Sequence, residues 1–233
     1  MTGKEDRAIF YGGSFDPPHL GHEACVRLAY ELDPAAEIYV VPAYVPPAGA
    51  GQVKQTEAGF EHRLAMCRLA FPQVLPAAQV HVSDIEAKLP APSYTLQTIQ
   101  ALMQKDPDKS WTLLMGADQL ANLGRWHKVA ELLQHVNLLV IGRQMADSTD
   151  SLEESLQNLA HSLQMRLIKT SECLFRWDHI PSKQVRLAEQ NVSPAASRLL
   201  RQGSSKARFQ DKWLNLSVQE YIRRQQLYQD DKA

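Results

Sequence analysis

The segment that most limits the possible folds lies between residues 8 and 32. An apolar run, AIFY at residues 8–11, ends in Gly12-Gly13, and a helical pattern opens at His19 and continues to residue 32. A buried strand feeding through a glycine turn into a helix is half of a crossover unit, and such units build parallel sheets. The pattern then recurs. Residues 37–41 (EIYVV), 80–83, 111–115 (WTLLM) and 137–141 (NLLVI) read as strands, with helical spacing at residues 60–70, 94–103 and around 129–133. The expected fold is α/β: a Rossmann-like, doubly wound, mainly parallel sheet with helices on both faces. Residues 46–51, rich in Pro, Gly and Ala, read as a loop. Beyond Arg143, residues 152–163 are helical by spacing, and 166–169 or 174–177 offer short extra strands. Residues 195–202 and 217–228 read as further helices. With no internal repeat and no linker, residues 1–233 are expected to form one domain, its C-terminal portion helical from about residue 190.

Composition bounds the function. Of 233 residues, 44% are hydrophobic, enough for a sizeable core, and the formal net charge of -1 gives no general attraction to nucleic acid or an anionic membrane. Cys25, Cys67 and Cys173 are too few and too scattered for a disulfide framework or a C-x-x-C zinc site, which fits a reducing cytosol. The first residues lack the apolar core of a secretory signal, and no run approaches a membrane span. A cytoplasmic protein with no nucleic-acid or membrane partner is expected. Oligomeric state has no sequence signal here.

Chemistry concentrates in residues 12–22, GGSFDPPHLGH. N–H groups in the turn and first helical turn lack internal partners, and with the helix dipole they attract an anion. Pro17 and Pro18 stiffen the approach to the helix. His19 and His22, three apart, project from one face of its first turn, and Gly21 between them leaves room for a bulky ligand. Two imidazoles beside such a turn can donate to phosphoryl oxygens. Taken singly, a His-x-x-His pair is often an ordinary surface feature, and a glycine turn after a strand is unspecific. The turn matches neither G-x-G-x-x-G nor the phosphate loop of NTPases. Elsewhere, Ser93 or Thr95 can cap the helix near Tyr94. Gly116 and Asp118 follow the fourth strand, where doubly wound sheets keep ligands. Asp118 reads equally as a ribose-binding acid or a helix cap, and Trp126 as a core indole.

The decapeptide Gly13-Ser14-Phe15-Asp16-Pro17-Pro18-His19-Leu20-Gly21-His22 is the signature of the HxGH nucleotidyltransferases. Residues 92–95 (PSYT), 116–119 (GADQ), 123–128 (LGRWHK) and 61–66 (EHRLAM), with Val218, Tyr221 and Ile222 near the end, narrow the resemblance to bacterial nicotinate mononucleotide adenylyltransferases. It covers most of the chain and is weak between about residues 145 and 190.

The resemblance implies adenylyl transfer from ATP to nicotinate mononucleotide in NAD biosynthesis, giving nicotinate adenine dinucleotide and pyrophosphate. It implies His19 and His22 as phosphate-holding catalytic residues and Arg198 as a cation for the outgoing phosphates. Gly13, Ser14, Phe15, Asp16 and Gly21 would form the mononucleotide and ATP cradle. Ser93, Tyr94 and Thr95 would present N–H groups to the nicotinate carboxylate, Gly116 and Asp118 would meet ribose, Trp126 would stack on the pyridine ring, and Ser193 would meet ATP. Mg²⁺ would arrive through the ATP phosphates, with no protein metal site. Departures are local. Residues 46–49 read PPAG where relatives carry Pro-Pro-His-Lys, and residues 192–198 (VSPAASR) replace the usual I-S-S-T-x-I-R. Residues 141–144 read IGRQ, not Ala-Arg-Pro-Gly, and Gln97 stands where relatives mostly carry aspartate. Transfer to another acceptor such as nicotinamide mononucleotide, or slow catalysis by a nucleotide-binding sensor, are the alternatives.

Overall fold

A computed structural model describes residues 6–49, 52–75, 79–143, 149–190 and 213–228. The main sheet has eight strands in the order β5-β2-β1-β6-β7-β10-β9-β8. Its strands are β1 (Arg7–Gly13), β2 (Glu37–Pro42), β5 (Val80–Val82), β6 (Ser110–Gly116), β7 (Asn137–Arg143), β8 (Leu167–Ser171), β9 (Leu174–Trp177) and β10 (Ile180–Gln190). The strands from β5 through β10 in that order are mutually parallel, and β9 and β8 complete the edge as antiparallel neighbours. A separate two-stranded ribbon pairs β3 (Pro47–Gly49) with β4 (Gln52–Val53). The doubly wound expectation holds. The chain leaves β1 outward to β2 and β5, then returns to lay β6, β7 and β10 on the other side, so the order reverses between β1 and β6. At such a switch point the crossovers diverge and open a crevice beyond the carboxyl ends of the strands.

Both sheet faces are buried, which is why the central strands read as unbroken apolar runs. Ala8, Phe10, Leu113, Met115, Leu138 and Val140 belong to one core. That core is completed by α3 (Thr95–Lys105), α5 (Val129–His135) and α6 (Thr149–Ser162). Ile9, Tyr11, Leu114, Leu139 and Ile141 face the other way. There they meet α1 (Leu20–Leu32), α2 (Phe60–Ala70) and the C-terminal helix α7 (Leu216–Arg224). One single-turn helix, α4 (Ala117–Leu120), follows β6 directly.

Two expectations change. Residues 46–51 were expected as loop, yet Pro47–Gly49 and Gln52–Val53 pair as a ribbon. The strand Ile180–Gln190 had no counterpart in the sequence reading, although it pairs with β7 over six residues. Lying between β7 and the antiparallel β9, it carries Lys183, Arg186 and Glu189 among the inward Val185 and Leu187, so no clear apolar run marks it. The expected helix at residues 195–202 lies outside the described residues. Among the described residues, no helix is long and apolar enough to cross a membrane.

Candidate active site

β1 delivers the signature turn to the switch point. Gly12 and Gly13 let aromatic rings pack close against the backbone there. A Cβ on Gly12 would lie 2.8 Å from the Phe10 ring, and one on Gly13 3.0 Å from the Phe15 ring. Phe15 itself is left-handed, at φ 45°. That conformation costs an L-residue about 1 kcal/mol or more, and it persists only where surroundings fix it. The surroundings are aromatic: the buried Phe15 ring stands edge-on to Tyr11 and Phe71, each 5.4 Å away, and to His22 at 5.1 Å. The strained residue thus places its ring under the second histidine.

His19 is the N-cap of α1, and His22 is its third helical residue. Each ring caps the other's backbone. His19 N–H donates to His22 Nδ1 at 3.1 Å, and His22 N–H to His19 Nδ1 at 3.3 Å. The rings stack with centroids 3.6 Å apart. This is the Ser/Glu capping box built from two imidazoles. Since both Nδ1 atoms accept, the neutral rings carry their protons on Nε2. The cap therefore settles the tautomer and turns each Nε2–H into a directed donor. It also takes the N–H groups of residues 19 and 22, leaving those of Leu20 and Gly21 as the first-turn donors with no helical acceptor.

Asp16 is turned inward, 3% exposed. Its Oδ2 accepts from Glu57 N–H at 2.8 Å, and its Oδ1 from Ala58 N–H at 3.1 Å and from the Tyr228 hydroxyl at 2.6 Å. With three protein donors on its oxygens, this carboxylate ties the turn to residues 57, 58 and 228. Arg63, on α2 and 1% exposed, works beside it. Its Nε donates to Ala58 O at 3.1 Å, Nη1 to Ser14 O at 2.8 Å and Nη2 to Tyr44 O at 3.4 Å. Burial pulls its pKa down, and the nearby Asp16 charge opposes that shift. The Ser14 hydroxyl accepts from Lys54 Nζ at 3.4 Å.

A second buried acid, Glu86, fixes the other wall. It accepts from Tyr44 N–H at 3.1 Å and the Thr98 hydroxyl at 2.8 Å, and burial raises its pKa against the lowering effect of these bonds and of Ser93. Ser93 also ties the same loop, exchanging bonds with Val45 through its N–H and its Oγ. Ser93 or Thr95 was expected to cap α3; the N-cap is Tyr94, with no side-chain cap bond. The Ser93 hydroxyl is instead engaged by Val45 N–H and Glu86. Gln97 and Thr98 N–H both bond Tyr94 O, so Thr95 and Leu96 present the helix-end donors.

Tyr94 stacks on His127, with centroids 4.2 Å apart. Next to His127, Trp126 is half-buried and packs against the core formed with α3 and α5. Gly116 ends β6 and caps α4, so the cap position considered for Asp118 belongs to Gly116. Asp118 is exposed, one residue into that helix, and receives Gln119 Nε2 at 2.9 Å. Ser193 and Arg198 lie outside the described residues. Reading the sequence had assigned no role to Arg63, Glu86 or Tyr228. Arg63 lay within the quoted segment 61–66, and that segment meets the quoted ending where His62 Nδ1 and Tyr221 Oη approach to 3.0 Å.

Two stacked imidazoles at the start of α1, at the carboxyl end of β1 beside the switch point, form the kind of helix-end arrangement that suits an anion. The chain belongs to the cytidylyltransferase-like family, whose profile matches residues 10–191. Its relatives there are nicotinate-nucleotide adenylyltransferases by name. A Shewanella pealeana protein named "Probable nicotinate-nucleotide adenylyltransferase" is 30% identical over 227 residues, 95% of both chains. One of the same name from Anaeromyxobacter dehalogenans is 34% identical over 147 residues, 62% of this chain and 74% of its own. Among solved structures, the Plasmodium falciparum nicotinic acid mononucleotide adenylyltransferase complexed with NaAD superposes with a TM-score of 0.70. It covers 96% of this chain and 97% of its own at 17% identity, a likeness of fold.

Proposed function

We propose that the protein transfers the adenylyl group of ATP to nicotinate mononucleotide, releasing pyrophosphate. The observation that carries this reading is the reciprocal cap of His19 and His22, which fixes two Nε2–H donors at the carboxyl end of β1. A 5′-phosphate oxygen of the mononucleotide attacks the α-phosphorus of ATP. The new P–O–P bond forms as the α–β bridge breaks, and its electron pair leaves on pyrophosphate. The nucleophile is already anionic, so no general base is needed. Acceleration comes from alignment and from donors aimed at charge on the phosphoryl oxygens. His19 and His22 supply those donors without reorganising, because the cap holds both rings. Leu20 and Gly21 N–H groups add the helix-end field. Arg198 would hold the outgoing phosphates and Ser193 would contact ATP. Mg²⁺ bound through the ATP phosphates would supply further neutralisation. Asp16, the carboxylate inside the turn, already accepts three hydrogen bonds from the protein, so its part in this reading is to hold the turn.

Acceptor choice follows from α3. Thr95 and Leu96 N–H groups favour a ring carboxylate through charge-assisted bonds, with Trp126 covering the pyridine. Asp118, exposed at the end of β6, would accept from ribose hydroxyls. Nicotinamide mononucleotide is the second reading. The side-chain oxygen of Gln97, buried without a hydrogen-bond partner, could accept from a carboxamide NH₂. One assay separates the two: dinucleotide formation from ATP, Mg²⁺ and each mononucleotide. An amide turns its NH₂ toward helix-end donors and makes two such mismatches at about 1–3 kcal/mol each, so kcat/KM should favour nicotinate by roughly a hundredfold or more. Equal use would overturn the acceptor assignment and keep adenylyl transfer. Formation of no dinucleotide from either would overturn both.

A further inference from the structure

The hydrogen bond joining the last described residue to the signature turn spans 212 positions of sequence. Tyr228 follows α7, and the chain turns back there through two left-handed residues, Gln226 at φ 52° and Tyr228 at φ 60°. Neither is glycine, and such backbone persists only where contacts hold it. Leu227 N–H closes the turn on Ile222 O at 3.1 Å. The Tyr228 side chain then enters the core shared by Phe15, Met66 and Val218, leaving the residue 8% exposed. Packing alone would be met by a phenylalanine. The hydroxyl, however, donates to Asp16 Oδ1 at 2.6 Å, a charge-assisted bond to the carboxylate that also gathers Glu57 and Ala58. Ala58 O and Ser14 O are in turn held by Arg63. Asp16 stands between the strained Phe15 and the cap residue His19, so any slack in its carboxylate is passed to both rings.

We propose that Tyr228 is a positioning residue for the transfer reaction: its hydroxyl completes the shell around Asp16, and the C-terminal tail thereby fixes the turn that aims His19 and His22. This rests on the adenylyl-transfer reading given above. It predicts an effect on kcat rather than on substrate affinity, because only the aim of the donors changes.

The test compares the wild type with Tyr228→Phe, which keeps the ring and removes the donor. We expect kcat to fall roughly tenfold or more, the range for losing a bond to a charged group, with KM for both substrates within about threefold. Amide exchange at Glu57 and Ala58 should quicken by about tenfold, since their common acceptor loosens. In the double variant with Asp16→Asn, removing the hydroxyl should cause no further loss. Unchanged kcat in Tyr228→Phe, or losses that multiply in the double variant, would overturn the proposal. Should the wild type form no dinucleotide, the reading of the reaction falls. Exchange then decides alone: faster exchange at Glu57 and Ala58 upholds the tie to Tyr228, and unchanged exchange removes it.

Discussion

The two ends of the sheet use charge in different ways. At the carboxyl end, Asp16, Arg63 and Glu86 are each 5% exposed or less, and their hydrogen bonds go mostly to backbone groups of loops. At the amino end, Glu37, Tyr39 and Lys109 bond to one another. Lys109 Nζ reaches Tyr39 Oη at 2.8 Å and Glu37, and Tyr39 donates to Glu37 at 2.9 Å. Glu37 remains 41% exposed by side chain, and these bonds join side chains to one another, not to loop backbone. A side chain that satisfies backbone carbonyls and amides dictates where a loop goes. One that satisfies another surface side chain dictates little, since water substitutes for it. The same sheet thus has one end whose loops are specified by buried charge and another that is solvated.

The largest expected effect comes from Arg63. Arg63→Lys keeps the charge, but a single ammonium cannot reach Ala58 O, Ser14 O and Tyr44 O together. With at least two buried carbonyls left unsatisfied at about 1–3 kcal/mol each, stability should fall by about 3–5 kcal/mol. For a chain this size, Tm should drop by roughly 6–20 °C, which thermal or urea unfolding would measure. A loss under about 1 kcal/mol would mean that packing alone positions these loops, and the contrast between the two ends would vanish.

Sequence pattern carried the scaffold and part of the site, and the boundary between legible and hidden is physical. Residues 60–70 and the strands at 37–41, 111–115 and 137–141 declare themselves because helix-facing sides and doubly buried faces select apolar residues. The strand Ile180–Gln190 does not, since its exposed positions interrupt the pattern. His19 and His22 stand out because turn, cap and histidines are contiguous. The Asp16 shell is hidden because Glu57, Ala58 and Tyr228 reach it across 41, 42 and 212 positions, and no local spacing encodes such a meeting. Tyr94 and His127 show the same limit: each lies in a recognisable segment, while their stack needs the fold.

A smaller, pH-dependent effect belongs to Glu23, one residue beyond His22. It is 9% exposed, one carboxyl oxygen is buried without a hydrogen-bond partner, and burial lifts its pKa from 4.5 to about 7, despite the Asn215 hydrogen bond and the Arg27 charge. The folded state therefore holds its proton more tightly than the unfolded chain does. Its contribution to stability is fully present below about pH 4.5, declines as pH rises to 7, and is flat above. Glu23→Gln should raise stability at pH 8 by about 1–3 kcal/mol and remove this part of the slope. Unfolding curves of both proteins from pH 5 to 8 that stay parallel would show that the carboxyl is solvated.

Glu37, at the opposite end, should behave with the opposite sign and the smallest magnitude. The hydrogen bond from Lys109 holds its pKa below the ordinary carboxylate value. Its stabilisation is therefore present above the unfolded pKa and is lost as pH falls through the folded one. Lys109→Met removes the ammonium that causes this. Tyr39 still donates to Glu37, and water reaches the remaining carboxylate oxygens, so little is left unsatisfied. The variant should lose about 1 kcal/mol or less near pH 7, because Glu37 stays 41% exposed although Lys109 is only 15% exposed. Screening shortens from about 10 Å at 0.1 M salt to about 3 Å at 1 M, so even that difference should shrink in high salt. Transfer kinetics should match the wild type, because nothing at this end aims a donor at phosphate. The checks are urea unfolding at both salt concentrations and kcat/KM with ATP and nicotinate mononucleotide. A loss as large as that of Arg63→Lys would mean that the side-chain cluster organises the amino end as firmly as backbone bonds organise the other. A drop in kcat/KM with stability intact would instead show that strain crosses the whole length of the parallel strands.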